Sequence, residues 1–354
     1  MEGYLRGYYG YKNFGDELLF FGVVKRLSVK YPLTKLFVEV GNVSWMEDRV
    51  RENYQWFLTE KQLKSIKFIN AKQHKYKIIT HLINLLGRGK YKKVFKFFGW
   101  WEVLSDERDF PHDGRNIPLL FNYSVRHKQF VLLWWIGKIR KSWTETLYRY
   151  LLPKAEMIVV RDRESYAIAT QGRNRDEEKG TRGKGISWRW ENQINNNVVL
   201  YQDFAQEIIL KYQGTREQGV GTRDEGEGTS TTSQITSPYI LININKQSID
   251  KENIQKIIDF CTHYPDHKKL FFPCDMNDDK HCFASIKKYI SDLEIYDWTK
   301  YSLQESLSLF YHADAGIGAR LHFLLPLKLY EKPMIAIPYA DKINKLIISP
   351  KAKI

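Results

Sequence analysis

Cysteine is scarce: Cys261, Cys274 and Cys282 are the three among 354 residues. None sits in a Cys-x-x-Cys pair and the count is odd, which argues against a disulfide scaffold and against a zinc site. Long apolar runs are missing too. The strongest, Phe130-Val131-Leu132-Leu133-Trp134-Trp135-Ile136, falls far short of the roughly 18 residues that span a bilayer and reads as a buried strand. The opening Met1-Glu2-Gly3-Tyr4 has no basic cluster leading into an apolar stretch, so a secretory signal is not expected. A cytoplasmic location follows as the expectation. Acidic side chains are outnumbered, 41 against 55 basic ones, for a formal charge of +14. Such a surplus favours anionic partners: nucleic acid, phosphorylated substrates or an acidic lipid surface. No recognised nucleic-acid-binding motif is present, so a nucleic-acid partner is not expected.

The shortage of acid is most acute in residues 61–100, which hold eleven Lys or Arg and no Asp or Glu. Aliphatic and aromatic residues are mixed among them, from Ile78 and Leu82 to Phe97, Phe98, Trp100 and Trp101. One reading is a membrane-surface element over 61–101, with peripheral contact at the inner face of the plasma membrane. The plainer reading is a core helix with a solvated basic face.

What is present suits a soluble α/β protein. An apolar share of 43% is enough for real cores, and this length favours two domains. Gly3–Tyr9 reads as a strand, followed by a turn over Gly10–Gly15. From Asp16 a helical pattern begins, with Asp16 as its expected cap and Glu17 in its first turn. Leu36–Val40 reads as the next strand, and strand–turn–helix–strand is the grammar of a parallel sheet. The theme returns at Ile158–Val160, at Ile240–Ile244 with a helix over about Asn253–Tyr264, and at Leu270–Pro273 with a helix over about Asp279–Ile290. A helix after Arg320 and a strand over Met334–Ile337 complete the pattern. Residues 171–197 and 213–237 are polar and low in complexity, with Gly-Thr-Arg at 180, 214 and 221. Such composition cannot offset the entropy of ordering. The expected division is therefore an N-terminal domain over 1–212, with 171–197 as an insertion, a linker over 213–237 and a C-terminal domain over 238–354. Val198–Ala205 is expected to be the last ordered strand and loop of the first domain.

Two constellations have chemical content. The first is Gly7-Tyr8-Tyr9-Gly10-Tyr11-Lys12-Asn13-Phe14-Gly15-Asp16-Glu17. Glycines between a strand and a helix allow close approach of a ligand to the backbone, and the helix start offers free N–H groups. It is neither a Walker A loop nor a dinucleotide fingerprint. The second is Gly316-Ile317-Gly318-Ala319-Arg320-Leu321-His322 after Ala313-Asp314-Ala315, which reads as a glycine-rich loop following a strand. Arg320 presents a planar fork of donors for a carboxylate or phosphate. His322 suits proton transfer near neutral pH. The remaining histidines show no metal-ligand spacing, and no metal is expected.

The first constellation resembles the N-terminal signature of the polysaccharide pyruvyl transferase family. Gly318-Ala319-Arg320-Leu321-His322, Pro333 and Ile335-Ala336-Ile337-Pro338-Tyr339-Ala340-Asp341-Lys342-Ile343 are similar to its C-terminal signature. Val159-Val160-Arg161-Asp162-Arg163-Glu164-Ser165 resembles its central element, and Asp203-Phe204-Ala205 its next short motif. The resemblance implies two Rossmann-like domains facing across a cleft, as in glycosyltransferases of the B type. It implies transfer of pyruvate from phosphoenolpyruvate onto two hydroxyls of a glycan or lipid-linked oligosaccharide, forming a cyclic ketal. Phosphoenolpyruvate is a co-substrate, and no cofactor is implied. Arg320, Leu321, Gly318 and Lys246 fall on the donor side, with Arg320 and His322 as the reacting groups. Asn13, Gly15, Asp16 and Glu17 fall on the acceptor side. Arg161 and Asp162 suit a loop or interface role, Ser165 belongs to the same central motif, and Lys342 lies near the end of the C-terminal motif. The chain departs from the family in Asn243-Ile244-Asn245-Lys246-Gln247, where members tend to carry an arginine. Lys246 offers a point charge there but no bidentate fork. A sugar-nucleotide glycosyltransferase on the same scaffold is the alternative reading. An inactive binding protein of a glycan-export complex is a third.

Overall fold

The first strand, β1 (Glu2–Tyr9), is followed by α1 (Phe14–Lys30), β2 (Lys35–Val40), α2 (Val43–Phe57), the short α3 (Glu60–Ser65) and β3 (Ile66–Asn70). The structure is a computed structural model that describes residues 2–70, 95–100, 130–134, 155–160, 166, 198–200, 203–217, 237–338 and 343. In β2, Leu36, Val38 and Val40 are buried and the residues between them half-buried, the period of two that turns alternate side chains to opposite faces. β4 (Phe95–Trp100), β5 (Phe130–Trp134), β6 (Met157–Val160) and β7 (Val198–Leu200) complete a seven-stranded sheet of order β3-β2-β1-β4-β5-β6-β7. Its β1/β4, β4/β5, β5/β6 and β6/β7 pairs run parallel. All four residues of β6 are buried, as expected of a strand covered on both faces.

The second half begins with α4 (Phe204–Glu217), then β8 (Tyr239–Asn243), α5 (Lys251–Thr262), β9 (Lys268–Phe271), α6 (Asp279–Lys287), β10 (Glu294–Ile295), α7 (Leu303–His312), β11 (Ala315–Gly318), α8 (Leu321–Leu329) and β12 (Met334–Ala336). These strands form a parallel sheet of order β10-β9-β8-β11-β12. Asp250 caps α5 by accepting from Asn253 N, and Ser302 with Glu305 forms a capping box on α7. α8 is apolar apart from His322 and Lys328 and is buried from Leu321 to Leu327, as a helix so rich in apolar residues must be. Strand alternation divides β11 between two faces. Ala315, Ile317 and Ala319 join a core with Ile240, Ile242, Ile257, Phe260 and Ile286. Gly316 and Gly318 face α8, where an added Cβ would sit 2.5 Å from Leu327 and 2.4 Å from Phe323.

The chain divides into two compact units, but not at a 213–237 linker. The first comprises Met1–Tyr8, Leu27–Met46 and Lys64–Asp203; the second comprises Tyr9–Arg26, Glu47–Leu63 and Phe204–Ile354. Phe204 therefore opens a helix of the second unit rather than closing a loop of the first. Its backbone lies against Gly22 of α1, where a Cβ would meet the Phe204 carbonyl oxygen at 2.3 Å. Residues 213–217 are the last turn of α4. Residues 171–197, expected as an insertion, and residues 218–236 lie outside the described residues. So do 71–94 and 101 of the basic stretch; residues 61–65 lie in the short helix α3 and 66–70 form β3, with Lys61, Lys64 and Lys67 exposed. Among the described residues no helix is long and apolar enough to cross a membrane.

All three cysteines are buried in the second unit, at 8, 2 and 4% exposure for Cys261, Cys274 and Cys282. Burial pushes the Cys261 and Cys282 thiols up to about 11 and raises Cys274 well above its ordinary value. A thiol raised from 9.0 to about 11 holds roughly a hundredfold less thiolate at pH 8, and the thiolate is the reactive form. A disulfide reagent at pH 8 is expected to find no fast-reacting thiol in the native protein and all three in denaturant. Rapid reaction of one native thiol would contradict the described burial.

Candidate functional site

The N-terminal turn is tight. Gly10 (φ 75°) and Lys12 (φ 57°) both lie in the left-handed region, which for Lys12 costs about 1 kcal/mol. Tertiary bonds within the second unit hold it. Lys12 O accepts from Met276 N at 3.1 Å and Phe14 N donates to Cys274 O at 2.7 Å. Asn277 Nδ2 donates to Tyr11 O at 2.8 Å, and Asn13 pairs with Asp275 in an isolated bridge. The first turn of the chain is thereby stitched to the segment between β9 and α6.

Asn13, rather than Asp16, caps α1: its Oδ1 accepts from Gly15 N at 3.1 Å and Asp16 N at 3.3 Å. The helix starts at Phe14, two residues earlier than expected. Phe14 is fully buried, with its ring 5.0 Å from Phe272, 5.5 Å from Trp298 and 5.9 Å from Phe310. Asp16 is 4% exposed beside Tyr9, whose hydroxyl is raised first by burial and then by the Asp16 charge. Glu17, placed by sequence on the acceptor side, is fully buried, and its Oε2 lies 2.9 Å from Arg49 Nε. Its carboxylate is committed to an internal ion pair.

The C-terminal motif also differs from the expected loop. Gly316 and Gly318 are strand residues, made glycine by the close approach of α8 rather than by a ligand. Leu321 is a buried apolar residue in the first turn of α8. Arg320 is the N-cap position of that helix. Its backbone N–H donates to Asn243 Oδ1 at 3.1 Å. Its guanidinium binds two carboxylates: Nε donates to Asp279 Oδ1 at 3.0 Å, and Nη2 donates to Asp278 Oδ2 at 2.8 Å and also to Asp279. The positive charge expected at the mouth of this helix is therefore compensated in place. Asp279 is fully buried and also accepts from Asp275 N at 3.1 Å and from Asn243 Nδ2 at 3.3 Å. Burial raises its carboxyl, while Arg320 pulls it the other way. Lys246 is exposed, three residues beyond Asn243.

His322 joins the two motifs. It is 4% exposed, and an added Cβ on Gly15 would lie 1.9 Å from its Nδ1 and 2.6 Å from its Cγ. The glycine of the first motif is thus the seat of the histidine of the last. The structure brings Asn13, Gly15, Arg320 and His322 into one region of the second unit. It withdraws Glu17 and Leu321 into the interior. Arg161, Asp162, Ser165 and Lys342 lie outside the described residues. Sequence reasoning missed Asn243, Asp275, Asp278 and Asp279. The signal was there in Asp275-Met276-Asn277-Asp278-Asp279, an acidic run just beyond a strand end.

The topology explains the convergence. In the second sheet β8 lies between β9 and β11, so the connections after β8 and β11 leave in opposite directions. Such switch points at the carboxyl ends of parallel strands are where open α/β sheets bind ligands. Asn243 ends β8 and Arg320 follows the end of β11, and they touch.

Fold and topology define a glycosyltransferase-B-like α/β protein of two Rossmann-like units. No protein-family model and no curated protein sequence matches the chain. Solved structures share its fold at low identity. UDP-GlcNAc 2-epimerase from Neisseria meningitidis, bound to UDP-GlcNAc, aligns with a TM-score of 0.52 at 10% identity, covering 94% of this chain and 81% of that one. The Methanocaldococcus jannaschii UDP-GlcNAc 2-epimerase, in complex with UDP-GlcNAc and UDP, aligns with a TM-score of 0.52 at 11% identity over 95% and 83%. A glycosyltransferase from Rickettsia africae aligns with a TM-score of 0.51 at 10% identity over 99% and 82%.

Proposed function

We propose that this protein is an enzyme of glycan-precursor synthesis that acts on a phosphate-bearing activated donor. The observation that carries the reading is the meeting of Asn243 and Arg320 at the switch point of the second sheet. The solved neighbours support a nucleotide sugar as that donor, since two of them hold UDP-GlcNAc on this scaffold. The reaction class is then glycosyl transfer or epimerisation, with a glycan or lipid-linked oligosaccharide as acceptor in the first case.

A second reading, pyruvyl transfer from phosphoenolpyruvate, has its own observation. Gly15 and His322, from the first and the last of the four motifs that carry the family resemblance, lie against each other although 307 positions apart. Ketal formation needs proton traffic: the enol methylene gains a proton, two sugar hydroxyls lose theirs, and phosphate leaves. His322 is the candidate proton carrier. Arg320 serves this donor only by exchanging a carboxylate partner for the substrate anion.

Calorimetry with UDP-GlcNAc and with phosphoenolpyruvate separates the readings, followed by assay of UDP or phosphate release in the presence of an oligosaccharide acceptor. Binding of neither donor at millimolar concentration defeats both readings. In whichever reaction is found, His322→Ala is expected to lower turnover by about 10²- to 10⁴-fold, the usual contribution of a general acid or base, with little change in donor affinity. Wild-type turnover in that variant removes the imidazole from the chemistry.

A further inference from the structure

The two carboxylates on Arg320 are not equivalent. Asp279 has 0% side-chain exposure and is held from three sides, by Asn243 Nδ2, by Asp275 N and by the guanidinium. Asp278 is 44% exposed and meets Arg320 at Nη2. Arg320 itself is 21% exposed. A half-exposed ion pair contributes little and is weakened further by water and salt, whereas removing a buried partner leaves an uncompensated charge. One contact is thus built to stay and the other to be exchanged. The network also fixes where the guanidinium stands, because Asn243 holds both the Arg320 backbone and the Asp279 carboxylate.

We propose that Arg320 is a gated anion receptor: Asp279 with Asn243 is its permanent anchor, and Asp278 is an internal counter-ion that an incoming phosphate displaces. This rests on the reading of a phosphate-bearing donor and adds regulation to that site. Without an anion, Asp278 occupies Arg320 Nη2 and discourages adventitious small anions. A phosphoryl group brings more charge and several acceptor oxygens to the same donors, and so competes successfully. Asp278 acts on binding through Arg320 and is a positioning residue.

The test uses the full chain and inorganic pyrophosphate as the probe, measured by calorimetry at low ionic strength. Asp278→Asn should tighten pyrophosphate binding by about fivefold, the equivalent of about 1 kcal/mol of relieved competition, and the gain should shrink as salt is raised. Asp266→Asn, which changes net charge equally at an exposed position preceding β9, should leave affinity unchanged. Equal or weaker binding in Asp278→Asn, no measurable pyrophosphate binding in that variant, or the same gain in Asp266→Asn each overturns the gate. UDP-GlcNAc and phosphoenolpyruvate are titrated alongside. If pyrophosphate behaves as expected but neither donor binds, the gate stands and the functional reading fails.

Discussion

Replacing Glu17 by alanine is expected to lower the unfolding free energy by about 3–5 kcal/mol, the usual cost of stripping one partner from a buried ion pair. The side chains of Glu17 and Arg49 are each 1% exposed and meet at 2.9 Å. Arg49 also donates to Glu52 Oε2 at 2.9 Å and to the Tyr301 carbonyl, and its guanidinium lies 5.4 Å from the Trp298 ring centroid. Glu52 is 49% exposed, so it is a poor substitute for a fully desolvated carboxylate. The double variant Glu17→Met with Arg49→Leu should lose less than Glu17→Ala, because apolar groups of similar volume need no counter-charge. Urea unfolding followed by circular dichroism reads both. A loss below about 1 kcal/mol in Glu17→Ala, in the range of exposed pairs, would show that water reaches the pair.

The second large effect is expected at Gly15. A methyl group there collides with the His322 ring, and either the imidazole leaves its seat or α8 shifts. Overpacking of this kind costs about 1–3 kcal/mol, and the displaced ring should take most of the turnover with it. His322→Ala removes the ring atoms at 1.9 and 2.6 Å and keeps the Cβ at 2.9 Å, which a small backbone shift must still relieve. The stability lost in Gly15→Ala should therefore be partly regained in Gly15→Ala/His322→Ala, with a coupling of about 1 kcal/mol in a double-mutant cycle. Activity should not return. Additive stability losses would mean that the two residues do not touch.

Much of the architecture was legible because local patterns decide it. The apolar runs Ile158–Val160 and Ile240–Ile242 announce strands, and both lie in strands. Helix α1 was legible from its periodicity, but its cap was not. Asn13 and Asp16 are both good caps, and the choice falls to the chain geometry after Lys12. The glycines of β11 were misread for a physical reason. A glycine that lets a ligand approach and a glycine that lets a helix approach look the same in sequence; only Leu327 and Phe323 opposite them decide. The charge of Arg320 was legible, its compensation was not, since Asp278 and Asp279 lie 42 and 41 positions away. The division into units escaped for the same reason. Low-complexity sequence marks where a chain tolerates insertion, while unit membership follows from which buried faces meet.

The stitching of the first turn to the segment after β9 has a consequence for biosynthesis. Asn13 and Asp275 are separated by 262 positions, and Arg49 and Tyr301 by 252. During synthesis the helix that carries Phe14 leaves the ribosome long before Phe272, Trp298 and Phe310 exist to cover it. The second unit thus joins segments 262 and 252 positions apart, and closing so wide a loop is slow. A nascent chain halted before Trp298 would present an unfilled aromatic socket, a natural handle for chaperones and a point at which premature termination favours clumping over folding.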